Sequence, residues 1–328
     1  MRRGAEKLGI KNKLLSAFRG RMFTCQEAYE EIPSVNKESV RARLYENLGI
    51  VFERVSRGIY KVIDENGMES KSGEALLLEG DGRDLSFLED GSIQAIITDH
   101  PWSSGTKGYN RSFADYETFE YIQKDFFEKA RVLGEGFLVE ILPTETEDNW
   151  KYLAKIKTMA EKAGLNYYAK VPWRKGNLIH NTGRTAKNTE DVMIFYKGKP
   201  KFRKDAKKDK AEPEVSHYMF GAAGILPTEF NFQPPARKEK IHQSEKPVEL
   251  IEMLLDFFTK ENDVVVDQFA GSGIVGVACC KKKRNCILIE KSKEFCKKIC
   301  NRFERTGLGL SLFSIHNVNA LVSEAMVE

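Results

Sequence analysis

The chain of 328 residues lacks long apolar runs. No stretch approaches the roughly 18 consecutive apolar residues that a transmembrane helix needs. The first residues contain no continuous apolar segment followed by small residues, which is the pattern of a cleaved secretory signal. We therefore expect a cytoplasmic protein that does not associate with a membrane.

Cysteine is scarce and is not arranged as a metal site. The six cysteines include no CxxC pair, and the five histidines are not interleaved with them at the spacing of zinc ligands. In a reducing compartment such cysteines are small apolar side chains that pack in the core. We predict no bound metal.

Excess charge is also small, with a net value of +4, but it is unevenly distributed. Residues 1–63 contain 13 Lys and Arg against 7 Asp and Glu, a net +6, so the remainder carries −2. A basic segment favours contact with a polyanion such as nucleic acid. That contact is expected at the amino-terminal end.

The amino-terminal segment 1–63 is typical of three short helices followed by a β-hairpin. Thr24 is the expected N-cap of the second helix, and Ser34 or Asn36 that of the third, which Gly49 ends. Ser56-Arg57-Gly58 would join the two strands. The predicted elements are helices at 11–19, 23–32 and 40–49 and strands at 50–55 and 58–63.

This order resembles a small winged helix-turn-helix domain. The resemblance implies that Lys37, Arg41 and Arg43 lie on a recognition helix that contacts DNA, and that Arg54 and Arg57 lie on the wing. The alternative is a helical cap that packs on the main domain without contacting DNA. We predict a separate DNA-binding domain over residues 1–63.

The rest of the chain has the pattern of an α/β domain. Residues 64–75 are polar and contain glycine, as a linker does. From residue 76 to 328, apolar strands alternate with helices, which predicts a doubly wound sheet with helices on both faces. Such sheets bind ligands at the carboxyl ends of their strands. Residues 201–241 interrupt the alternation, and we interpret them as a functional insertion.

The segment VVVDQFAGSG, residues 264–273, is the strongest motif. A buried strand runs into a glycine-containing turn that opens a helix, and glycine lets the backbone approach a ligand closely. Glu290 ends the next strand along the chain, where an acid can accept hydrogen bonds from ribose hydroxyls. The pattern suits several nucleotide or adenosyl cofactors, and a tight turn without a ligand is the alternative.

A second motif, Asp99-His100-Pro101-Trp102, follows an apolar strand. A carboxylate and nearby carbonyls can accept hydrogen bonds from an amino group, while an aromatic ring stacks on the base that carries it. Taken alone, the motif is more typical of an ordinary strand that ends at a proline.

Four segments occur in one order: 79–81, 99–102, 242–250 and 267–273. Together with residues 188–198 they resemble the β-group amino-methyltransferases of DNA, in which the catalytic motif (D/N/S)PP(Y/W/F) precedes the cofactor motif. The resemblance spans roughly residues 76–305. It implies a Rossmann-like class I methyltransferase sheet, S-adenosyl-L-methionine as the cofactor, and methyl transfer to an exocyclic amino group of a flipped base in double-stranded DNA.

The resemblance also implies roles for the matched residues. Asp99 would receive the amino group and Trp102 would stack on the base, with His100 and Pro101 completing the catalytic motif. His100 stands where the family has proline, and its imidazole could contact the base or a phosphate, or mark altered chemistry. The residues implied in cofactor binding are Asp81, Lys246, Pro247, Glu249, Asp267, Phe269, Gly271, Ser272, Gly273 and Glu290.

The target base and the partners are less constrained by the sequence. An aspartate opening the motif favours adenine N6, with cytosine N4 as the alternative. The absence of a Pro-Cys dipeptide weighs against a C5-cytosine enzyme. A catalytically silent DNA-binding protein, an RNA or small-molecule methyltransferase, a homodimer and a cognate restriction nuclease stay open. Basic residues of the insertion are predicted to contact phosphates, or to form a solvated loop: Arg203, Lys204, Lys207 and Lys208.

Overall fold

The computed structural model describes residues 9–19, 22–48, 51–56, 59–63, 73–102, 118–176, 188–200, 225–242 and 244–314. The helices are α1 Ile10–Phe18, α2 Cys25–Glu31, α3 Lys37–Glu46, α4 Gln123–Val132, α5 Trp150–Lys162, α6 Val248–Phe258, α7 Ile274–Lys281 and α8 Lys293–Thr306. The strands are β1 Met22–Thr24, β2 Phe52–Ser56, β3 Ile59–Val62, β4 Ala75–Glu79, β5 Ile93–Thr98, β6 Leu133–Pro143, β7 Asn166–Arg174, β8 Thr189–Lys197, β9 Phe230–Asn231, β10 Val264–Asp267, β11 Asn285–Glu290 and β12 Leu310–Ser314. Within these ranges no helix combines the length and apolar character needed to cross a membrane.

A nine-stranded sheet in the order β12-β4-β11-β10-β5-β6-β8-β7-β9 forms the centre of the molecule. The strands from β12 to β6 are parallel neighbours, whereas β8 runs antiparallel to both β6 and β7. This arrangement confirms the predicted α/β sheet. Strand β4 begins at Ala75 and Glu74 is already buried, so the sheet starts inside the segment predicted as a linker.

Alternating side chains of the parallel strands pack on opposite faces of the sheet. In β5, Ile96 belongs to the apolar cluster that contains residues of α4 and α5, whereas Ile97 belongs to the cluster that contains residues of α6, α7 and α8. Burial on both faces is what a continuous apolar strand requires. Five of the six cysteines are buried, as expected for apolar packing.

The carboxyl ends of β4, β11, β10, β5 and β6 lie along one edge of the sheet because these strands are parallel. The antiparallel strand β8 brings its amino end to the same edge, where Glu190 pairs with Pro143 of β6. Polar residues after β5 and β10 and at the start of β8 therefore converge. This edge is where open α/β sheets bind ligands.

Residues 9–63, hereafter the amino-terminal module, form a second small sheet in the order β1-β3-β2 with α1, α2 and α3. The predicted cap at Thr24 is confirmed: its hydroxyl accepts from the Glu27 N–H, and the Glu27 carboxylate accepts from the Thr24 N–H. Asn36 caps α3 by accepting from the Ser39 N–H at 2.8 Å. Strand β1 was not predicted, and Gly49 and the residues 57–58 of the hairpin lie outside the described residues.

The amino-terminal module packs against the main sheet. Met22 and Ile59 belong to the same apolar cluster as Leu76 and Leu78 of β4. The Ser311 hydroxyl of β12 donates to the Met22 carbonyl at 3.2 Å. The two sheets therefore share apolar core.

An ion pair between the module and the main domain changes the expectation for Arg54. Its guanidinium lies 2.5 Å from the Glu89 carboxylate, and 30% of its side chain is exposed. Glu89 belongs to the connection between β4 and β5. The charge of Arg54 is therefore paired within the protein, whereas a wing residue that binds DNA needs its charge available to a phosphate.

Candidate active site

Three acidic residues lie at the carboxyl ends of adjacent strands. Asp99 follows β5, Asp267 ends β10 and Glu290 ends β11, and these strands are neighbours. The structure therefore brings the two predicted motifs together, although Asp99 and Asp267 are distant along the chain. The strand order changes direction between β5 and β10, which is the usual ligand position in such folds.

The turn after β10 is built by backbone N–H groups that donate to these acids. The Phe269 N–H donates to Asp267 Oδ1 at 3.1 Å, and the Gly271 N–H donates to Glu290 Oε2 at 2.8 Å. Gly271 and Gly273 have φ of +50° and +72°, which a residue with a Cβ adopts only with strain. A Cβ on Gly273 would also lie 2.9 Å from the side chain of Ile299.

Asp267 is the most perturbed of the three acids. It is 4% exposed, and burial raises its pKa to about 8. The hydrogen bond from Phe269 opposes this shift, while the charges of Asp99 and Glu290 add to it. Burial also raises the pKa of Glu290, whose Oε1 accepts from the Ser292 N–H at 2.8 Å. The edge is therefore rich in buried carboxyl groups, which favours a cationic ligand.

Asp99 is held by side chains on both of its oxygens. Lys246 Nζ lies 2.6 Å from Oδ2, and the Trp102 indole N–H donates to Oδ1 at 3.3 Å. Asp99 keeps 26% of its side chain exposed, whereas Lys246 is 6% exposed. The sequence places Lys246 with the cofactor residues. In the structure its ammonium contacts Asp99 of the predicted catalytic motif.

Glu190 is a site residue that the sequence analysis missed. Its Oε2 lies 3.1 Å from Lys246 Nζ, and its Oε1 accepts from Lys175 Nζ at 2.6 Å. The ring of Trp173, which pairs with Glu190 across β7 and β8, lies 5.9 Å from the Lys246 ammonium. The segment 188–198 was recognised, but only the antiparallel direction of β8 brings its first acid to this edge.

His100 is not exposed at the edge of the sheet, which corrects the expectation that its imidazole contacts the base or a phosphate. Its side chain is fully buried and its ring lies 4.2 Å from that of Tyr121. Nε2 is 2.9 Å from the Tyr152 hydroxyl of α5. Burial, with the charge of Lys129, lowers the pKa of His100 well below its usual range. The imidazole is therefore neutral, and its contacts with Tyr121 and Tyr152 hold this end of β5 against the protein interior.

A buried polar cluster continues beneath His100. The Tyr121 hydroxyl donates to Glu140 Oε2 at 3.2 Å, and Lys129 pairs with Glu140 Oε1, with both charged side chains fully buried. His100 Nδ1 lies 3.9 Å from Glu140 Oε2. The Tyr152 hydroxyl also accepts from the Tyr121 N–H at 3.1 Å. The catalytic motif thus rests on a hydrogen-bonded layer that links α4, α5 and β6.

The remaining predicted cofactor residues are placed unevenly. Asp81 pairs with Arg83 at 2.8 Å in the turn after β4. This turn contacts residues 268–273, hereafter the cofactor loop because the sequence predicts a cofactor there: the Gln268 side chain donates to the Gly82 carbonyl at 2.7 Å. Pro247 precedes the first turn of α6 and is buried. Glu249 is exposed in that turn. Its side chain is not drawn into the cluster around Asp99.

Arg302 of α8 contacts both the turn after β10 and the segment that precedes Lys246. The sequence analysis also missed this residue. Its guanidinium donates to the Ser272 carbonyl at 3.1 Å and to Glu245 Oε1 at 2.8 Å. Glu245 directly precedes Lys246 and its Oε2 accepts from the Ile241 N–H at 2.9 Å. The cofactor loop is therefore tied to the segment that carries Lys246.

The predicted nucleic-acid contacts are only partly described. Lys37 and Arg43 are exposed on α3, while Arg41 is half-buried with its guanidinium 5.9 Å from the Tyr45 ring. Arg54 is paired with Glu89 as described above. The other predicted contacts lie outside the described residues: Arg57, Arg203, Lys204, Lys207 and Lys208.

Comparison with known proteins adds to this geometry. A family model described as DNA methylase matches residues 93–301, well over half of the chain. The Type II methyltransferase M.HpaI of Haemophilus parainfluenzae is 26% identical over 231 residues, which cover 67% of this chain and 71% of that protein. The M1.HpyAVI–SAM complex superimposes with a TM-score of 0.51 and 20% identity, covering 70% of this chain and 98% of that one. The cytosine-N4-specific PvuII DNA methyltransferase superimposes with a TM-score of 0.50 and 19% identity, and the match covers 74% of this chain and 96% of that one.

Proposed function

The chain belongs to the N6/N4 DNA methylase family, and from that premise we propose that it methylates the exocyclic N6 of adenine at specific sites in double-stranded DNA. The observation that carries the proposal is the position of Asp99. Its carboxylate lies at the end of β5, beside the glycine turn that follows β10. An acceptor for an amino group and a cofactor turn therefore share one edge of the sheet.

The residues at this edge fit S-adenosyl-L-methionine, the cofactor of the family. The cofactor is a cation at its sulfonium and ammonium groups, and burial with neighbouring carboxyl groups raises the pKa of Asp267 to about 8. A cation beside Asp267 would favour its ionised form and be bound by it. Glu290, fixed by the Gly271 and Ser292 N–H groups, would accept from the ribose hydroxyls.

The side chains of the catalytic motif would bind and orient the base. Asp99 would accept a hydrogen bond from the amino group through Oδ1, because Lys246 is bound closely to Oδ2 while the Trp102 indole is a longer 3.3 Å from Oδ1. Trp102 stacks on the flipped base and offsets part of the few kcal/mol lost by unstacking. The bound cofactor supplies an electrophilic methyl group. Proximity and the fixed charge of Asp99 would then provide much of the rate enhancement.

The test is transfer of tritiated methyl from S-adenosyl-L-methionine to mixed-sequence duplex DNA, followed by mass spectrometry of the nucleosides. We expect N6-methyladenine from the wild type and a loss of label of at least about 100-fold in Asp99→Ala, since a preorganised polar group is worth that much in comparable sites. Glu161→Ala, which alters an exposed acid of α5 that no part of the predicted site includes, serves as the matched control. N4-methylcytosine as the product would contradict the adenine assignment, and no labelled DNA would contradict the enzyme assignment.

The amino-terminal module supports a second part of the proposal, a winged-helix contact with DNA. Its order α1-β1-α2-α3-β2-β3, with β1 paired to β3, fits that of a winged helix. Lys37 and Arg43 are exposed on α3, the helix that would enter the major groove. The engagement of Arg54 with Glu89 shifts the expected contacts from the wing to this helix.

A further inference from the structure

Four side chains of alternating charge form a continuous row behind the catalytic motif. Asp99 Oδ2 is 2.6 Å from Lys246 Nζ, Lys246 Nζ is 3.1 Å from Glu190 Oε2, and Glu190 Oε1 is 2.6 Å from Lys175 Nζ. Lys246 and Glu190 are 6% and 11% exposed. Buried charges persist only when they are paired in this way. The row contains two acids and two cations, so its net charge is zero.

We infer that Lys246 is the positioning residue of this methylase: it binds Oδ2 of Asp99 at 2.6 Å and is itself held by Glu190. Oδ1, which accepts the longer 3.3 Å hydrogen bond from the Trp102 indole, keeps a second lone pair for the amino group of the base. The inference rests on the proposed role of Asp99. Three observations support it. First, Lys246 is buried, so water competes little for its protons. Second, it follows Glu245, which Arg302 ties to the cofactor loop. Third, a second cation, Lys175, balances the charge of Glu190.

The charges around Asp99 explain why a cation is needed at this point. In the described part of the chain, acids face it from three strands: Glu140 on β6, Glu190 on β8 and Asp267 on β10. Lys246 is the cation in contact with it, His100 beneath is neutral, and Lys129 is paired with Glu140. Burial raises the pKa of Asp99, and the charge of Glu190 raises it further, whereas Lys246 lowers it.

These opposing effects predict opposite results for two substitutions. Lys246→Met removes the stabilising cation, so the pKa of Asp99 should rise by about 1 pH unit or more. Glu190→Gln removes a like charge while keeping the shape of the side chain, so the pKa of Asp99 should fall. A protonated Asp99 cannot accept through both oxygens, so the acid limb of the pH profile of kcat should move in the same two directions.

The experiment measures the titration of the Asp99 carboxyl carbon by NMR in the protein without cofactor or DNA, with Asp99→Asn used to assign the signal. The matched control is Lys170→Met, which removes a cation 3.0 Å from Asp191, the residue after Glu190 on β8. The kcat profile is measured in parallel. Lys246→Arg, which keeps the charge, should restore most of the wild-type titration.

Opposite movements in Lys246→Met and Glu190→Gln, with Lys170→Met unchanged, would support the inference. An unchanged Asp99 titration in Lys246→Met, or an equal shift in Lys170→Met, would overturn it. The two proposals fail separately: a wild-type protein that transfers no methyl group but titrates as expected contradicts the proposed function alone. Normal methyl transfer with an unshifted titration contradicts the role of Lys246 alone.

Discussion

Replacing His100 with leucine is expected to destabilise the protein at neutral pH and to have a much smaller effect at pH 5. Leucine is close to histidine in volume, so the main loss at pH 7.5 is the hydrogen bond between Nε2 and the Tyr152 hydroxyl. The Tyr152 side chain is half-buried, and leaving its hydroxyl without one of its partners costs about 1–3 kcal/mol. That range is the expected decrease in the free energy of unfolding at pH 7.5.

The pH dependence follows from the state of the imidazole. The pKa of His100 in the folded protein lies well below its ordinary value of 6.5, so the native state holds it neutral while the unfolded chain takes up a proton below pH 6.5. The stability that a neutral His100 provides is therefore present above pH 6.5 and lost as pH falls. The loss is at most about 1.4 kcal/mol for each pH unit below 6.5, and the leucine variant does not undergo it.

The assay is urea unfolding at several pH values between 5 and 8, followed by circular dichroism. The difference in unfolding free energy between wild type and His100→Leu should grow with pH. Tyr152→Phe should lower stability but keep the wild-type pH dependence, because His100 remains buried and neutral. Combining the two substitutions should cost less than the sum of the single effects, by about 1 kcal/mol. Parallel pH curves for wild type and His100→Leu would refute the reasoning.

Three further predictions concern other parts of the molecule. Because the pKa of Asp267 in the folded protein is raised to about 8, its contribution to stability is present at low pH and lost as pH rises. In the same unfolding assay, Asp267→Asn should therefore gain stability relative to wild type as the pH rises from 5 to 8. A difference in unfolding free energy that stays constant with pH would contradict this. Arg302→Met leaves a buried carboxylate unpaired and should lower the unfolding free energy by about 3 kcal/mol in thermal unfolding, whereas an unchanged melting temperature would show that the pair is dispensable. Replacing both Lys37 and Arg43 with alanine should weaken binding to duplex DNA and reduce by about 2 the slope of log K against log salt concentration. Lys155→Ala, at an exposed lysine of α5, is the control. A slope equal to that of the wild type would exclude α3 from the interface.

Part of the site follows from the sequence because parallel strands end at one edge. Asp99 and Asp267 each follow an apolar strand, and that pattern alone brings them together. The cap at Thr24 is equally local, since it depends on a residue three positions along the chain. Helix α8 was not predicted, although Ile299 and Phe303 are spaced as on the buried face of a helix.

Other features depend on contacts that no local pattern specifies. Glu190 reaches the site only because β8 runs antiparallel to β6, and strand direction is not encoded in its apolar residues. The burial of His100 depends on Tyr121 and Tyr152, which belong to later segments of the chain. Arg54 was assigned to DNA because its charge is basic, but docking of the amino-terminal module supplies its acidic partner.

The position of β4 has a consequence for the order in which the chain folds. The two strands that pair with β4 are synthesised long after it, because Ala75 pairs with Cys286 of β11 and Leu310 of β12. At roughly 5–20 residues per second, the strand waits about 10–40 s on the ribosome with both hydrogen-bonding edges unpaired. Met22 and Ile59, already synthesised, can cover its apolar face during that time. The amino-terminal module is therefore available to shield the nascent sheet from aggregation, whatever it contributes to the finished enzyme.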